Sequence, residues 1–326
     1  MKSTIRRGYT AMSEDDDQGD FKGLKKYEKM LKNKKKAVKL AAIKEIRELD
    51  LNGRRTVRLL EAVLEQTVNP DEWDVKNEAI TTIGLFGSKH SIHHLAAHLN
   101  DPNPIVRESA AYALGQIKDK KSLIDLFPAL DDEAFSVREK AANALAKIGD
   151  PRAIDMLAKK TRSKDPQVRL SILPALAVFE NESKAIDALV DALHDEEMLV
   201  RFPAIIAFNR IKYAKAIDPL IENLNVDDPL LQKVAADALV FNLGWGSIEN
   251  NQLTKFGERR RQLLLSEGQV LSRGIAARES SSETEEKRFS TILDELCGAL
   301  NLDEEQKGIL KEFLDDLDNY YKIVKK

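Results

Sequence analysis

A Val-Arg pair returning at a fixed interval constrains this chain more than any other feature. It stands at Val106-Arg107, Val137-Arg138, Val168-Arg169 and Val200-Arg201, so the steps are 31, 31 and 32 residues. Val75-Lys76 precedes the series by 31 residues, and Leu231-Gln232 follows it by 31. Val38-Lys39 reads as a further copy, 37 residues before Val75. A chain with this period folds as a stack of small units, each burying its apolar face on its neighbours.

The residues inside each period predict two short helices. Val106, Ala110, Leu114 and Ile117 share one helical face, as do Val137, Ala141, Leu145 and Ile148, and Leu231, Ala235 and Leu239. Asn103-Pro104, Asp165-Pro166 and Asp228-Pro229 mark starts of first helices. Each places a side-chain acceptor at the N-cap and a proline where no amide donor is needed. Gly149 suits a C-cap. Second helices carry Ile92, Leu95 and Leu99, then Leu123, Leu126 and Leu130, then Ile186, Leu189 and Leu193.

Length alone, 326 residues, suggests about two domains, but the repeat replaces that estimate with one array and appended ends. The chain is 43% hydrophobic yet only 6% aromatic, which fits thin layers of aliphatic side chains. The 51 basic and 54 acidic residues leave a formal charge of -3 and no overall signature of a nucleic-acid binder. Cys297 is the sole cysteine, which excludes a disulfide framework and paired-cysteine zinc sites. The longest apolar run, residues 171–179, is too short to span a bilayer and contains Pro174. Residues 1–20 lack the apolar core of a signal peptide, so a cytoplasmic, reducing location is expected.

The segments Asp101-Pro102-Asn103-Pro104-Ile105-Val106-Arg107-Glu108-Ser109-Ala110-Ala111-Tyr112-Ala113-Leu114-Gly115 and Gly149-Asp150-Pro151-Arg152-Ala153-Ile154 resemble the HEAT-repeat family, in the short-repeat subtype named after phycobilisome lyases. The resemblance covers residues 35–265. It implies an all-α fold, an α-solenoid (superhelix) of about six to seven HEAT-like helical hairpins, and it says little about function. The expected organisation is a disordered tail (1–20), the array with an N-terminal capping helix (21–265), a flexible linker (266–288) and a helical hairpin (289–326). The hairpin rests on two apolar stripes, from Phe289 to Leu300 and from Leu310 to Val324. It is either a cap on the array or a detached partner-binding module.

Several constellations bear on function. His90, His94 and His98 are spaced four and four along one stripe. No acid or cysteine beside them in sequence completes a metal site, so no metal is assigned. Deoxyhypusine hydroxylase is similar in architecture, and that family holds two irons with His-Glu dyads. No His-Glu dipeptide occurs here, which argues against that activity. The subtype's name also invites bilin lyase chemistry. The aromatics that would clamp a chromophore (Trp73, Phe86, Tyr112, Phe179, Phe208) are scattered, mostly on first helices where core packing is expected. No Gly-rich phosphate loop or nucleophile elbow is found, and no catalytic residue or cofactor is assigned.

One position near the start of the second helix reads His90, Lys121, Arg152, Lys184 and Lys215. In one reading this basic ladder attracts an acidic or phosphorylated protein segment. In the other these are solvated residues balanced by Asp155, Asp187 and Asp218. The arginines Arg107, Arg138, Arg169 and Arg201 form a structural ladder, and the family resemblance implies bonds to loop acids such as Asp101, Asp132 and Asp195. Charge is also polarised: residues 22–58 hold fourteen Lys or Arg, whereas residues 283–326 hold twelve acids against seven bases.

The leading expectation is therefore a non-enzymatic scaffold or adaptor. It would bind a protein partner on the concave face through His90, His94, Lys121, Arg152, Lys184 and Lys215. The alternatives are a bilin lyase-like or metal-dependent enzyme, and a nucleic-acid-associated protein using the basic N-terminal segment.

Overall fold

A computed structural model describes residues 24–242 and two short strands beyond them. The chain divides into two compact units, Met1–Leu157 and Ala158–Lys326.

In the first unit, α1 (Leu24–Leu31) buries Leu24, Tyr27 and Leu31, and it packs on α2 (Lys36–Glu48) and α3 (Arg54–Gln66). Two hairpins follow, α4 (Trp73–Phe86) with α5 (Ile92–Ala97), and α6 (Pro104–Ile117) with α7 (Leu123–Leu126). The last pair is α8 (Phe135–Ile148) with α9 (Pro151–Lys160), and the division between units falls within α9. The first helices α4, α6 and α8 lie side by side. Val75, Val106 and Val137 are fully buried there, one per helix at the repeating position.

The second unit contains α10 (Pro166–Leu176), α11 (Ser183–Ala192), α12 (Met198–Ala207), α13 (Ile217–Glu222) and α14 (Pro229–Asn242). Here α10, α12 and α14 are the neighbouring first helices. Both units are stacks of helical hairpins, the architecture of an all-α solenoid. A short antiparallel pair, β1 (Ile248–Glu249) and β2 (Gln252–Leu253), follows α14 in sequence. The expected tail (1–20), linker (266–288) and C-terminal hairpin (289–326) lie outside the described residues.

Local chemistry sets the boundaries. Asn103, Asp165 and Asp228 accept from the amides of Ile105, Gln167 and Leu231, at 2.9, 2.9 and 2.7 Å. These bonds satisfy orphan donors at the helix starts. The second helices of the first unit differ from the expected single run. Helix α5 is flanked by 3-10 turns at Lys89–Ser91 and His98–Asn100, and α7 by turns at Lys120–Ser122 and Pro128–Asp131. Pro128 donates no amide, which contributes to the early end of α7.

Two glycines fix how closely first helices approach. A Cβ on Gly84 of α4 would lie 2.6 Å from both Cα and Cβ of Ala113 on α6. One on Gly115 of α6 would lie 2.8 Å from the same atoms of Ala144 on α8.

Candidate partner-binding surface

In three repeats of the first unit, the turn from first to second helix begins with a left-handed residue. Gly87 (φ 68°) and Gly149 (φ 69°) occupy it after α4 and α8. After α6 the same position is Lys118, at φ 55°. Glycine takes this conformation without cost, whereas an L side chain there costs about 1–2 kcal/mol. The lysine is held in place by its amide, which donates to the Leu114 carbonyl at 3.2 Å.

Lys118 opens a basic edge in the first unit. Lys89 and His90 are exposed at one turn, and Lys118, Lys120 and Lys121 at the next. The acid among them, Asp119, accepts the Lys121 amide at 2.9 Å. The Lys121 ammonium and the His90 ring have no partner among the described residues. At the third turn, Arg152 forms a two-pronged pair with Asp150 (Nε to Oδ1 2.8 Å, Nη2 to Oδ2 2.9 Å). That pair, with the Arg152 amide, lowers the Asp150 pKa to about 2, and Lys120 adds to the effect. The carboxylate therefore stays ionised, and the pair persists until the pH falls toward about 2.

The histidine stripe does not converge. His94 Nε2 lies 3.2 Å from Glu65 Oε1, and its Nδ1 lies 3.8 Å from Glu61 Oε1. Both acids come from α3, the preceding repeat, so adjacency in sequence could not reveal them. Ser91 Oγ donates to the same Glu61 at 2.7 Å. His98 Nδ1 instead meets the His94 carbonyl at 2.8 Å. Among the described residues, no three His, Cys, Asp or Glu side chains are grouped to hold a metal ion. Of the aromatics, only Phe208 is fully buried; Trp73, Phe86, Tyr112 and Phe179 are half-buried, at the margin of the core rather than within it.

In the second unit, Lys184 is exposed and Lys215 sits 3.3 Å from Asp187 of the preceding repeat. Tyr213 donates to the same Asp187 at 2.8 Å. The Tyr213 hydroxyl, then Asp187, hold the Lys215 ammonium protonated to higher pH than usual. Asp187, in the second turn of α11, thus serves the next repeat.

The arginine ladder is bonded along the stack. Arg107 reaches Asp132 with Nε and Nη2 at 2.7 and 2.9 Å, and the carbonyls of Asp101 and Pro102 with Nη1. Arg169 holds Asp195 with two 2.7 Å bonds. Lys76 takes the same part with Asp101 at 2.7 Å. Each acid stands 25 or 26 residues after its cation. At 25 and 26 residues Arg138 finds Ser163 and Lys164, and Arg201 finds Val226 and Asp227, and the Arg201 bond goes instead to Asn223 Oδ1 at 3.4 Å. Both of these arginines leave a buried Nε without a hydrogen-bond partner among the described residues.

A family model for HEAT repeats matches residues 24–111, 92–177 and 157–240. The chain belongs to the HEAT-repeat family. Among solved structures it is similar to the complex of CpcE and CpcF of phycocyanin lyase from Nostoc sp. PCC7120. The identity is 18%, the TM-score 0.43, and the match covers 82% of this chain and 98% of that one. Human deoxyhypusine hydroxylase in complex with glycerol is 17% identical, with a TM-score of 0.32 and coverage of 67% and 95%. An engineered protein is 18% identical, with a TM-score of 0.44 and coverage of 92% and 89%. No curated protein matches the sequence.

Part of the basic N-terminal stretch is paired within the protein. Lys26 pairs with Glu45, Lys32 with Glu28, Lys36 with Asp74, Lys39 with Glu72, and Arg47 with Glu78. Among the described residues, no helix is long and apolar enough to cross a membrane.

Proposed function

We propose that this HEAT-repeat protein is a non-enzymatic, cytoplasmic scaffold or adaptor whose second-helix turns hold an acidic or phosphorylated segment of a protein partner. The observation that carries this reading is Lys118. A lysine in a left-handed position, where the neighbouring repeats have Gly87 and Gly149, gives up stability to place a cation beside Lys120 and Lys121. HEAT arrays commonly serve protein interactions, and stacked repeats present such cations at regular spacing.

The contacts we assign are His90, Lys121 and Arg152 in the first unit, and Lys184 and Lys215 in the second. They divide by availability. His90 and Lys121 are open to a ligand, whereas Arg152 and Lys215 must share or exchange Asp150 and Asp187. His94 borders the surface but is occupied by Glu61 and Glu65. With several N-terminal lysines and Arg47 already paired to acids, the same account leaves little basis for nucleic-acid binding by that segment.

The test is a fluorescence anisotropy titration of the full chain with doubly phosphorylated and unphosphorylated acidic peptides. Lys118→Gly should raise stability by about 1 kcal/mol while weakening peptide binding. Lys118→Glu with Lys121→Glu should weaken it by roughly tenfold or more at low salt. Unchanged affinity in both variants overturns the assignment.

A further inference from the structure

The outward faces of the first helices differ between the two units. In the first unit the outward positions two, six and ten residues after the repeating valine hold Glu108, Tyr112 and Gln116 on α6, and Glu139, Asn143 and Lys147 on α8. In the second unit the same positions hold Leu170, Pro174 and Val178 along and just past α10, and Phe202, Ile206 and Arg210 along and just past α12, while Leu199 stands one residue before Val200. Val178 is 56% exposed, Leu199 68% and Ile206 43%, and Leu230 continues the track onto α14 at 58%. These side chains stand on the neighbouring helices α10, α12 and α14. Apolar exposure grouped on adjacent helices marks an interaction site, whereas single exposed leucines do not.

We propose that this surface is covered by the chain's own segment 289–326. That segment needs a cover: its sequence has an apolar stripe of Leu310, Phe313, Leu314, Leu317, Tyr321 and Val324. Charge fits as well. Glu312, Asp315, Asp316 and Asp318 flank the stripe, and exposed Arg210, Lys212 and Lys233 flank the apolar surface. Arg210 spends a donor on the Ala177 carbonyl, at 3.1 Å, and keeps its charge for a partner. Residues 254–288, after β2, lead to the segment, and a coil of that length would span on the order of 30 Å r.m.s.. Three neighbouring helices extend only about 20 Å. The tether therefore reaches, and it supplies an effective concentration in the millimolar range. The inference uses none of the residues of the basic turns.

Photo-crosslinking of the full chain reads out the occupant. Leu199→p-benzoylphenylalanine should crosslink to peptides from 289–326 at monomer mass, in roughly tenfold higher yield than the same residue placed at Lys147. Leu314→Asp with Leu317→Asp should abolish that product while leaving the far-UV circular dichroism of the array in place. A product at dimer mass would assign the surface to a second copy and overturn the proposal. So would a yield no higher than at Lys147, or a product indifferent to the two aspartates.

Discussion

Gly84→Val is expected to destabilise the first unit by about 3 kcal/mol, at the upper end of the cost of overpacking. A Cβ there would stand 2.6 Å from Ala113 Cα, which is main chain and cannot rotate away. Helices α4 and α6 would have to separate, and the buried Ile80, Ile83 and Leu114 would lose contacts. For the same reason, Ala113→Gly should rescue the variant only slightly, because the Cα remains at 2.6 Å. Gly115→Val should behave alike against Ala144. Gly53→Ala, with open space around the added methyl, serves as the control and should shift stability little. Urea unfolding followed by circular dichroism measures the series; a Gly84→Val midpoint equal to wild type would mean that the close approach carries no load.

Arg107→Met is expected to cost about 3–5 kcal/mol, because it strands Asp132 in a site where both partners are almost wholly enclosed. Side-chain exposure is 8% for Arg107 and 10% for Asp132, so water does little to replace the pair. Arg138→Met should cost much less, about 1–2 kcal/mol. Its guanidinium bonds the carbonyls of Asp132 and Glu133, and no buried carboxylate is left behind. The ratio between the two costs is the informative quantity. Equal losses would show that the arginine stem, and not the acid, holds the register.

The architecture was largely readable from the chain. Each Val-Arg valine and the residues four and eight positions on fall on the buried face, because period and helical pitch leave no other arrangement. The caps at Asn103, Asp165 and Asp228 were readable for the same local reason. The interruptions of α5 and α7 by 3-10 turns were not, because apolar spacing alone does not distinguish a continuous helix from one bounded by tighter turns.

The surface was less legible. Basic residues at one register were visible, but their partners come from the adjacent repeat: Glu61 and Glu65 for His94, and Asp187 for Lys215. Lys118 carried a signal that aligned repeats would show, as its register column runs Gly87, Lys118, Gly149. The contrast between the polar and apolar outward faces was equally present in the sequence. It acquires meaning only once α10, α12 and α14 are known to be neighbours.

The central claim, that the basic turns of the first unit hold an acidic protein segment, is tested most directly by hydrogen–deuterium exchange. The full chain would be compared with and without saturating doubly phosphorylated peptide. Protection should concentrate at residues 88–91 and 118–122, with the outward faces of α6 and α8 unchanged. Protection confined to other surfaces, or none at a peptide concentration that saturates anisotropy, would contradict it.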